Sequence, residues 1–251
     1  MIELLLVGIG TGNPDHLTLQ AIKALNGADL ILIPRKGAAK ADLAELRRTI
    51  CADVLTNPMV RIADFDLPVR DAANPDYRRG VDDWHDAIAG VWKDTILAEI
   101  GQSGRVALLV WGDPSLYDST LRIAGRVGES LPLRLTVIPG ITSLQALTAA
   151  HAMPINQIGE PFTVTTGRKL RDEGWPVGVD TLAIMLDGDC SFRAIAPMGV
   201  HIWWGAYVGM AEQIILSGPL PEMMDQITET RARARAEHGW IMDIYILRRQ
   251  V

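Results

Sequence analysis

The chain alternates short apolar runs with longer segments in which apolar residues recur at helical spacing. Strands are predicted at residues 3–8, 30–33, 60–63, 106–110 and 135–138. Helices are predicted over residues 17–25, 39–50 and 82–100. Strands that are apolar on both faces and alternate with helices are typical of βαβ units, so this half of the chain is predicted to form a parallel sheet.

A second series of elements follows Pro139 and Gly140, where the strand signal stops. A helix is predicted over residues 142–150, and strands at 162–165, 182–186, 201–207 and 240–247. We therefore predict an α/β fold of two lobes, residues 1–139 and residues 140–251. The alternating arginines of residues 231–237 are expected on a solvated helix face.

Charge and cysteine content narrow the class of protein. The chain has 251 residues and a net charge of -6. Its overall charge therefore does not attract nucleic acid or an anionic membrane. The apolar start is too short for a signal peptide or membrane span, and Cys51 and Cys190 fit neither a disulfide framework nor a zinc site. A cytoplasmic protein without a bound metal is expected.

The first candidate ligand-binding loop is rich in glycine and lies between a predicted strand and a predicted helix. It contains Gly8, Gly10 and Gly12, followed by Asn13, and it invites a dinucleotide-binding interpretation. Asn13 occupies the position where the dinucleotide fingerprint has its third glycine or an alanine. The acidic residue that binds the ribose in that fold follows the second strand, whereas Asp29 precedes it. The glycines leave backbone amides accessible to a ligand, while Asp15 or Thr18 also fits a plain helix cap.

Two further loops follow predicted strands. Residues 111–117 contain Asp113 and Pro114, which predict a turn, and residues 139–143 open a helix through threonine and serine. Each alone also fits an ordinary strand-to-helix turn. Because all three loops follow strands of one predicted sheet, they are expected to converge on one crevice.

Taken together, the three loops resemble those of the tetrapyrrole methylases. That family has a G-x-G-P-G-D-x-x-L-L-T loop, then a G-D-P loop, then a P-G-x-[ST]-[SA] turn, and this chain has similar loops in the same order. The strand at residues 181–186 and the segment 207–213 resemble the family's second lobe. Residues 16–21, 110–120, 156–161, 165–168, 185–189 and 239–243 resemble one corrin-forming branch of the family.

The resemblance implies a homodimer of two α/β lobes, with a parallel N-terminal sheet, a mixed C-terminal sheet and S-adenosylmethionine bound in the cleft between lobes. It also implies methylation of precorrin-5 at C-1 with loss of acetate. Implied cofactor contacts are Thr11, Trp111, Gly112, Asp113, Leu116, Tyr117, Thr142, Ser143, Met185, Leu186, Tyr207, Val208 and Trp240.

The substrate of such an enzyme carries several carboxylates, so an acidic protein needs a local basic rim. The candidate substrate residues are Gly10, Gly12, Asn13, Arg35, Lys36, Arg168 and Lys169, with Lys40 and Arg171 nearby. The basic ones also fit solvated surface charges. Asp15, His16 and Tyr117 are candidate acid–base groups. Asn13 stands where the family has an aspartate, and an amide cannot act as a base.

Three alternatives stay open at this point. The chain fits a tetrapyrrole methylase that acts at another ring position, a nucleotide-binding oxidoreductase built on the first loop, or a corrinoid-binding module without catalysis. Product analysis separates the first from the leading hypothesis, and ligand binding separates the second.

Overall fold

A computed structural model describes residues 1–35, 41–70 and 76–250. The chain divides into two compact units, Met1–Thr142 and Ser143–Val251, whereas the sequence-based boundary follows residue 139. None of the described helices is long and apolar enough to cross a membrane.

The first unit is built on a parallel sheet of five strands. The strands are β1 Ile2–Gly8, β2 Leu30–Arg35, β3 Arg61–Asp66, β4 Gly104–Val110 and β5 Leu133–Ile138. Their order across the sheet is β3-β2-β4-β1-β5, and every neighbouring pair is parallel. The parallel N-terminal sheet predicted from the apolar runs is confirmed.

Helices cover both faces of this sheet. They are α1 Leu19–Asn26, α2 Ala41–Val54, α3 Tyr77–Ile100 and α4 Thr120–Ser130. Leu4 and Leu6 of β1 pack with α3 and α4, while Leu5 and Val7 pack with α1 and α2. Side chains alternate across a strand, so β1 contributes to two apolar layers, and this explains its unbroken hydrophobic run.

The helix positions define where the connections diverge. The chain leaves β1 towards α1 on one face and leaves the neighbouring β4 towards α4 on the opposite face. In open α/β sheets such a point leaves a crevice outside the carboxyl ends of the two strands, and ligands bind there. The topology thus directs attention to the loops after β1 and β4.

The second unit has a mixed sheet of five strands. Its elements are α5 Ser143–Ala150, β6 Phe162–Thr166, α6 Gly167–Glu173, β7 Thr181–Met185, β8 Val200–Ala206, β9 Ile214–Pro219, α7 Leu220–His238 and β10 Asp243–Arg249. The order is β6-β7-β10-β8-β9, with only β6 and β7 parallel to each other. The expected mixed sheet is confirmed.

Two features of the second unit differ from the sequence-based prediction. The hydrophobic pattern does not predict β9, a short edge strand that ends in Gly218 and Pro219. The solvated face expected for residues 231–237 holds for Arg233 and Arg235 but is wrong for Arg231, whose side chain is only 12% exposed. Arg231 forms an ion pair with Asp243 at the start of β10.

Candidate functional site

Three loops of the first unit meet at the carboxyl edge of its sheet. We call them the glycine loop (residues 8–16, after β1), the Gly-Asp-Pro loop (residues 111–118, after β4) and the Pro-Gly loop (residues 139–142, after β5). The amide of Gly112 donates to the oxygen of Gly10 over 2.7 Å, and the amide of Gly140 donates to Asp113 Oδ2 over 2.9 Å. The expected convergence of the loops of β1, β4 and β5 is confirmed.

Glycine is required where these loops touch. A Cβ on Gly8 would lie 2.6 Å from the nitrogen of Gly140, and a Cβ on Gly140 would overlap the carbonyl oxygen of Gly112. Gly10 has a φ of +73°, and a Cβ there would lie 2.7 Å from the Cβ of His16. The glycines therefore permit close contact between backbones, which is a reason for their presence that does not depend on a ligand.

Asp113 joins the Gly-Asp-Pro loop to the Pro-Gly loop. Its Oδ1 accepts hydrogen bonds from the amide and hydroxyl of Ser115, and its Oδ2 accepts the Gly140 amide. Burial by itself would raise the pKa of Asp113, but these hydrogen bonds outweigh it and lower the pKa. The carboxylate is thus held charged and in a fixed orientation.

The other expected cofactor residues of this edge surround Asp113. The amide of Leu116 donates to the oxygen of Asp113 over 3.2 Å, and Leu116 is half-buried. Tyr117 follows with a φ of +50° and is 44% exposed. The backbone of Thr142 packs against Gly112, and Ser143 begins α5.

The candidate acid–base residues of the glycine loop have distinct surroundings. Thr11 is buried, and its Oγ1 lies 3.1 Å from Nδ1 of His16. Asn13 Oδ1 accepts the amide of Asp15 over 2.9 Å and so caps the 3-10 turn Pro14–His16. Asp15 itself is exposed. Asn13 therefore has a local structural role that either an amide or a carboxylate fulfils.

Helix α1 begins only after this 3-10 turn. Its first residue is Leu19, and Thr18 Oγ1 accepts the amide of Ala21 over 3.0 Å. In a dinucleotide fold the helix N-terminus faces the pyrophosphate directly after the glycines. Here a side chain caps that N-terminus, and Asp29 Oδ2 accepts the amide of Arg105 over 2.7 Å, which argues against the dinucleotide interpretation.

Most basic candidates for the substrate rim are surface residues in ion pairs. Arg35 pairs with Asp66 over 3.1 Å, and Lys169 pairs with Glu173 over 3.6 Å. Arg171 pairs with Asp189 over 2.8 Å, and Arg168 is exposed at the start of α6. Lys36 and Lys40 lie outside the described residues.

A further arginine beside the site was not singled out from the sequence. Arg47 of α2 donates from Nε to the oxygen of Leu109 over 3.2 Å, and its Cζ lies 5.2 Å from the centre of the Trp111 ring. Trp111 packs on the apolar layer beneath α1 and α2. No sequence signal identifies Arg47, because Leu109 lies 62 positions away along the chain and Trp111 lies further still.

The second unit presents Met185 and Leu186 at the end of β7. Leu186 has a φ of +54° and is 66% exposed. The next residue, Asp187, is buried and accepts four hydrogen bonds, from the amide of Asp189, both Ser191 donors and the Tyr245 hydroxyl. The hydrogen bonds of Asp187 therefore fix the backbone beside Leu186, whose large apolar side chain is exposed to solvent.

Of the remaining candidates of the second unit, Tyr207 and Val208 are core residues, and Trp240 is partly buried against the same core. Tyr207 is 2% exposed, and its hydroxyl donates to the oxygen of Trp240 over 2.6 Å. The two rings meet edge to face at 5.0 Å, and burial raises the pKa of Tyr207. Val208 is also buried. At Tyr207 a ligand contact would have to come from the backbone.

The described residues contain no group of three or more histidine, cysteine, aspartate or glutamate side chains arranged to hold a metal ion. The edge instead offers backbone amides, a fixed carboxylate at Asp113 and apolar side chains at Trp111 and Leu116. Such a lining suits a polar organic ligand with an apolar ring.

Comparison with known proteins identifies the family. Residues 3–224 match the model of the Tetrapyrrole (Corrin/Porphyrin) Methylases. The chain is 50% identical to "Precorrin-6A synthase [deacetylating]" of Sinorhizobium sp, over 99% of this chain and 96% of that protein. It is 27% identical to "Precorrin-2 C(20)-methyltransferase" of Sinorhizobium sp, over 66% and 64% respectively.

A solved structure agrees with this assignment. The crystal structure of a cobalamin synthesis related protein (CobF) from Corynebacterium diphtheriae matches with a TM-score of 0.84 and 38% identity, over 100% of both chains. The fold, the loop motifs and these relatives lead to one conclusion. The chain belongs to the tetrapyrrole (corrin/porphyrin) methylase family and is a methyltransferase.

Proposed function

We propose that the chain is an S-adenosylmethionine-dependent C-methyltransferase of cobalamin biosynthesis, which methylates precorrin-5 at C-1 and releases acetate to give precorrin-6A. The observation that carries the proposal is the meeting of the three loops at the carboxyl edge of β1, β4 and β5. The relative that is 50% identical over nearly the whole chain supports this reaction over methylation at another ring position.

The residues around Asp113 fit the cofactor. A ribose needs fixed acceptors, and Asp113 is an ionised, oriented carboxylate. The purine needs apolar walls, for which Trp111 and Leu116 are candidates in the first unit. The other proposed contacts in the first unit are Thr11, Gly112, Tyr117 and Thr142. Those proposed in the second unit are Ser143, Met185, Leu186, Tyr207, Val208 and Trp240.

The two lobes that we propose for the enzyme are residues 1–139 and 140–251.

Catalysis in this proposal rests on positioning. S-adenosylmethionine supplies an activated methyl group when bound, so the protein must align the acceptor carbon, and alignment alone contributes on the order of 7 to 11 kcal/mol. Gly10, Gly12 and Asn13 line the proposed acceptor side, with the basic residues Arg35, Lys36, Arg168 and Lys169 as proposed outer contacts.

Removal of the acetyl group requires water and a proton acceptor. Asn13 is excluded as the base by its chemistry, which leaves Asp15, His16 and Tyr117. Because Thr11 Oγ1 lies 3.1 Å from Nδ1 of His16, Nε2 is the ring nitrogen that we propose for proton transfer. Asp15 is exposed and is the alternative base.

Incubation with precorrin-5 and methyl-labelled cofactor tests the proposal. Equal amounts of labelled product and acetate are expected. Methyl transfer without acetate would mean that the chain acts at another ring position. Calorimetry tests the oxidoreductase alternative: S-adenosylhomocysteine should bind and NADH should not. A corrinoid-binding module without catalysis would give no labelled product.

The proposal includes a homodimer in the cytoplasm that binds neither nucleic acid nor membranes. Light scattering coupled to size-exclusion chromatography should give twice the chain mass of 27.4 kDa. A monomer at micromolar concentration would contradict the dimer without affecting the proposed reaction.

A further inference from the structure

Arg47 occupies a special position relative to the loops of the proposed site. Its helix, α2, packs against the 3-10 turn of the glycine loop. Its side chain reaches the end of β4, where Nε donates to the oxygen of Leu109 and the guanidinium lies over the ring of Trp111. The cation is thus fixed beside the strand ends where the sheet topology predicts a ligand.

The electrostatic surroundings of Arg47 set it apart from the other basic residues near the expected rim. Burial lowers the pKa of Arg47 to about 10, and the charge of Asp118 opposes that shift. Asp118 also accepts hydrogen bonds from the amide and hydroxyl of Thr120, the first residue of α4. Arg47 remains charged at neutral pH, yet it lacks the full hydration of a surface arginine, so a ligand anion beside it is favoured.

Arg47 differs from the basic residues of the surface in its exposure to solvent. Arg35 and Lys169 are exposed, so water screens their charges. Arg47 is shielded and its guanidinium plane is oriented by an aromatic ring. A planar, oriented guanidinium suits the bidentate recognition of a carboxylate.

We propose that Arg47, held against Trp111, binds a carboxylate of the methyl acceptor. The inference rests on the proposed function, because it takes the acceptor to be a tetrapyrrole with acidic side chains. It assigns the ligand class, a carboxylate on a macrocycle, to a residue on α2 that the three loop motifs do not include.

The test measures binding of uroporphyrin, a stable tetrapyrrole that carries several carboxylates, by quenching of tryptophan fluorescence. Arg47→Gln should weaken binding by about 10- to 100-fold, the range for loss of charge-assisted hydrogen bonds. Arg47→Lys keeps the charge but loses the planar fork, so a smaller loss is expected. The affinity for S-adenosylhomocysteine, measured by calorimetry, should stay within about two-fold of the wild type in both variants.

A matched control removes the same charge elsewhere. Arg134 is exposed on β5, and Arg134→Gln should leave uroporphyrin binding unchanged. Thermal melts establish that each variant is folded. If Arg47→Gln does not fold, Arg47→Lys decides, since wild-type uroporphyrin affinity in that variant would refute a bidentate contact.

Two results overturn the proposal. The first is uroporphyrin affinity in Arg47→Gln equal to that of the wild type. The second is an equal loss of uroporphyrin and S-adenosylhomocysteine binding, which would mean that Arg47 only supports the Gly-Asp-Pro loop through Trp111. Neither outcome depends on which ring carbon is methylated, so failure of the inference and failure of the proposed reaction are distinguishable.

Discussion

The first unit holds its candidate site loops by backbone contact, whereas the second unit holds the loop after β7 by buried side chains. In the first, Gly8, Gly112 and Gly140 let three loops touch, and one carboxylate joins two of them. In the second, Asp187 and Asp243 are buried and bonded to donors from distant parts of the chain. The first arrangement leaves motifs in the sequence, and the second leaves none.

The buried network of the second unit ties the exposed Leu186 to the core. Tyr245 donates its hydroxyl to Asp187 over 2.7 Å, and Arg231 donates to the backbone oxygen of Asp187 over 2.9 Å. Arg231 also pairs with Asp243, which in addition accepts the indole N–H of Trp204 over 3.0 Å. Burial raises the pKa of Asp243, and the Arg231 guanidinium opposes that shift.

The largest effect is expected from breaking this buried pair. Arg231→Met leaves Asp243 buried without its counter-charge and should lower the free energy of unfolding by about 3 to 5 kcal/mol. Urea titration measures the loss. Arg233→Met, which removes an exposed arginine from the same helix, is the control and should change stability by less than about 0.5 kcal/mol.

A double variant sharpens this prediction. Arg231→Met combined with Asp243→Leu removes both charges, so much of the lost stability should return. If the single and double variants are equally unstable, packing of Arg231 and not its charge stabilises the second unit.

The backbone contacts of the first unit should be the next most sensitive feature. Gly140→Ala forces a methyl group onto the oxygen of Gly112 and against Gly8, which should cost about 1 to 3 kcal/mol of stability. The loops would separate, and the affinity for S-adenosylhomocysteine should fall more than ten-fold by calorimetry. Gly125→Ala on α4 is the control, because a Cβ there meets no atom within 4 Å and alanine favours helix. Wild-type affinity in Gly140→Ala would contradict a role for this contact in ligand binding.

The single side chain that joins these loops should have a smaller effect on stability. Asp113→Asn keeps the shape but weakens the hydrogen bonds from Ser115 and Gly140, so a loss of about 1 kcal/mol is expected. Affinity for S-adenosylhomocysteine should fall as well, because a charged acceptor is lost. Ser115→Ala removes one donor to the same carboxylate and tests whether the hydrogen bonds or the charge matter more. If Asp113→Asn binds S-adenosylhomocysteine like the wild type, the proposed ribose contact is refuted.

The same contrast explains what the sequence predicts. Apolar runs identified nine of the ten strands in the described part of the chain, and the glycine, Asp-Pro and Pro-Gly signals located three loops, since these properties are local. Arg47 and Asp187 were not found, because Leu109 lies 62 positions from Arg47 and Tyr245 lies 58 positions from Asp187 along the chain. Arg231 was wrongly expected in solvent, because an alternating helix pattern does not reveal that Asp243 faces it. The edge strand β9 combines only three apolar residues with Ser217, Gly218 and Pro219.

The smallest effect concerns a buried polar group of the first unit that, unlike Asp187, has no hydrogen-bond partner among the described residues. His85 of α3 is 3% exposed, and both its ring nitrogens are unpartnered. Burial lowers the pKa of His85 below 6.5, helped by the charges of Arg126 and Arg122 and opposed by Asp82 and Asp86. The folded protein therefore binds this proton less tightly than the unfolded chain, and stability should fall as pH decreases below about 6.5.

His85→Leu removes the titrating ring and fills similar space. At pH 7.5 the variant should be as stable as the wild type or more stable, because two unpaired ring nitrogens are removed. Between pH 7.5 and pH 5.5 its free energy of unfolding, from urea titrations, should fall less than that of the wild type. If the free energy of unfolding of His85→Leu falls with decreasing pH as steeply as that of the wild type, another group causes the acid sensitivity. The unpartnered His85 would then not distinguish the first unit from the second.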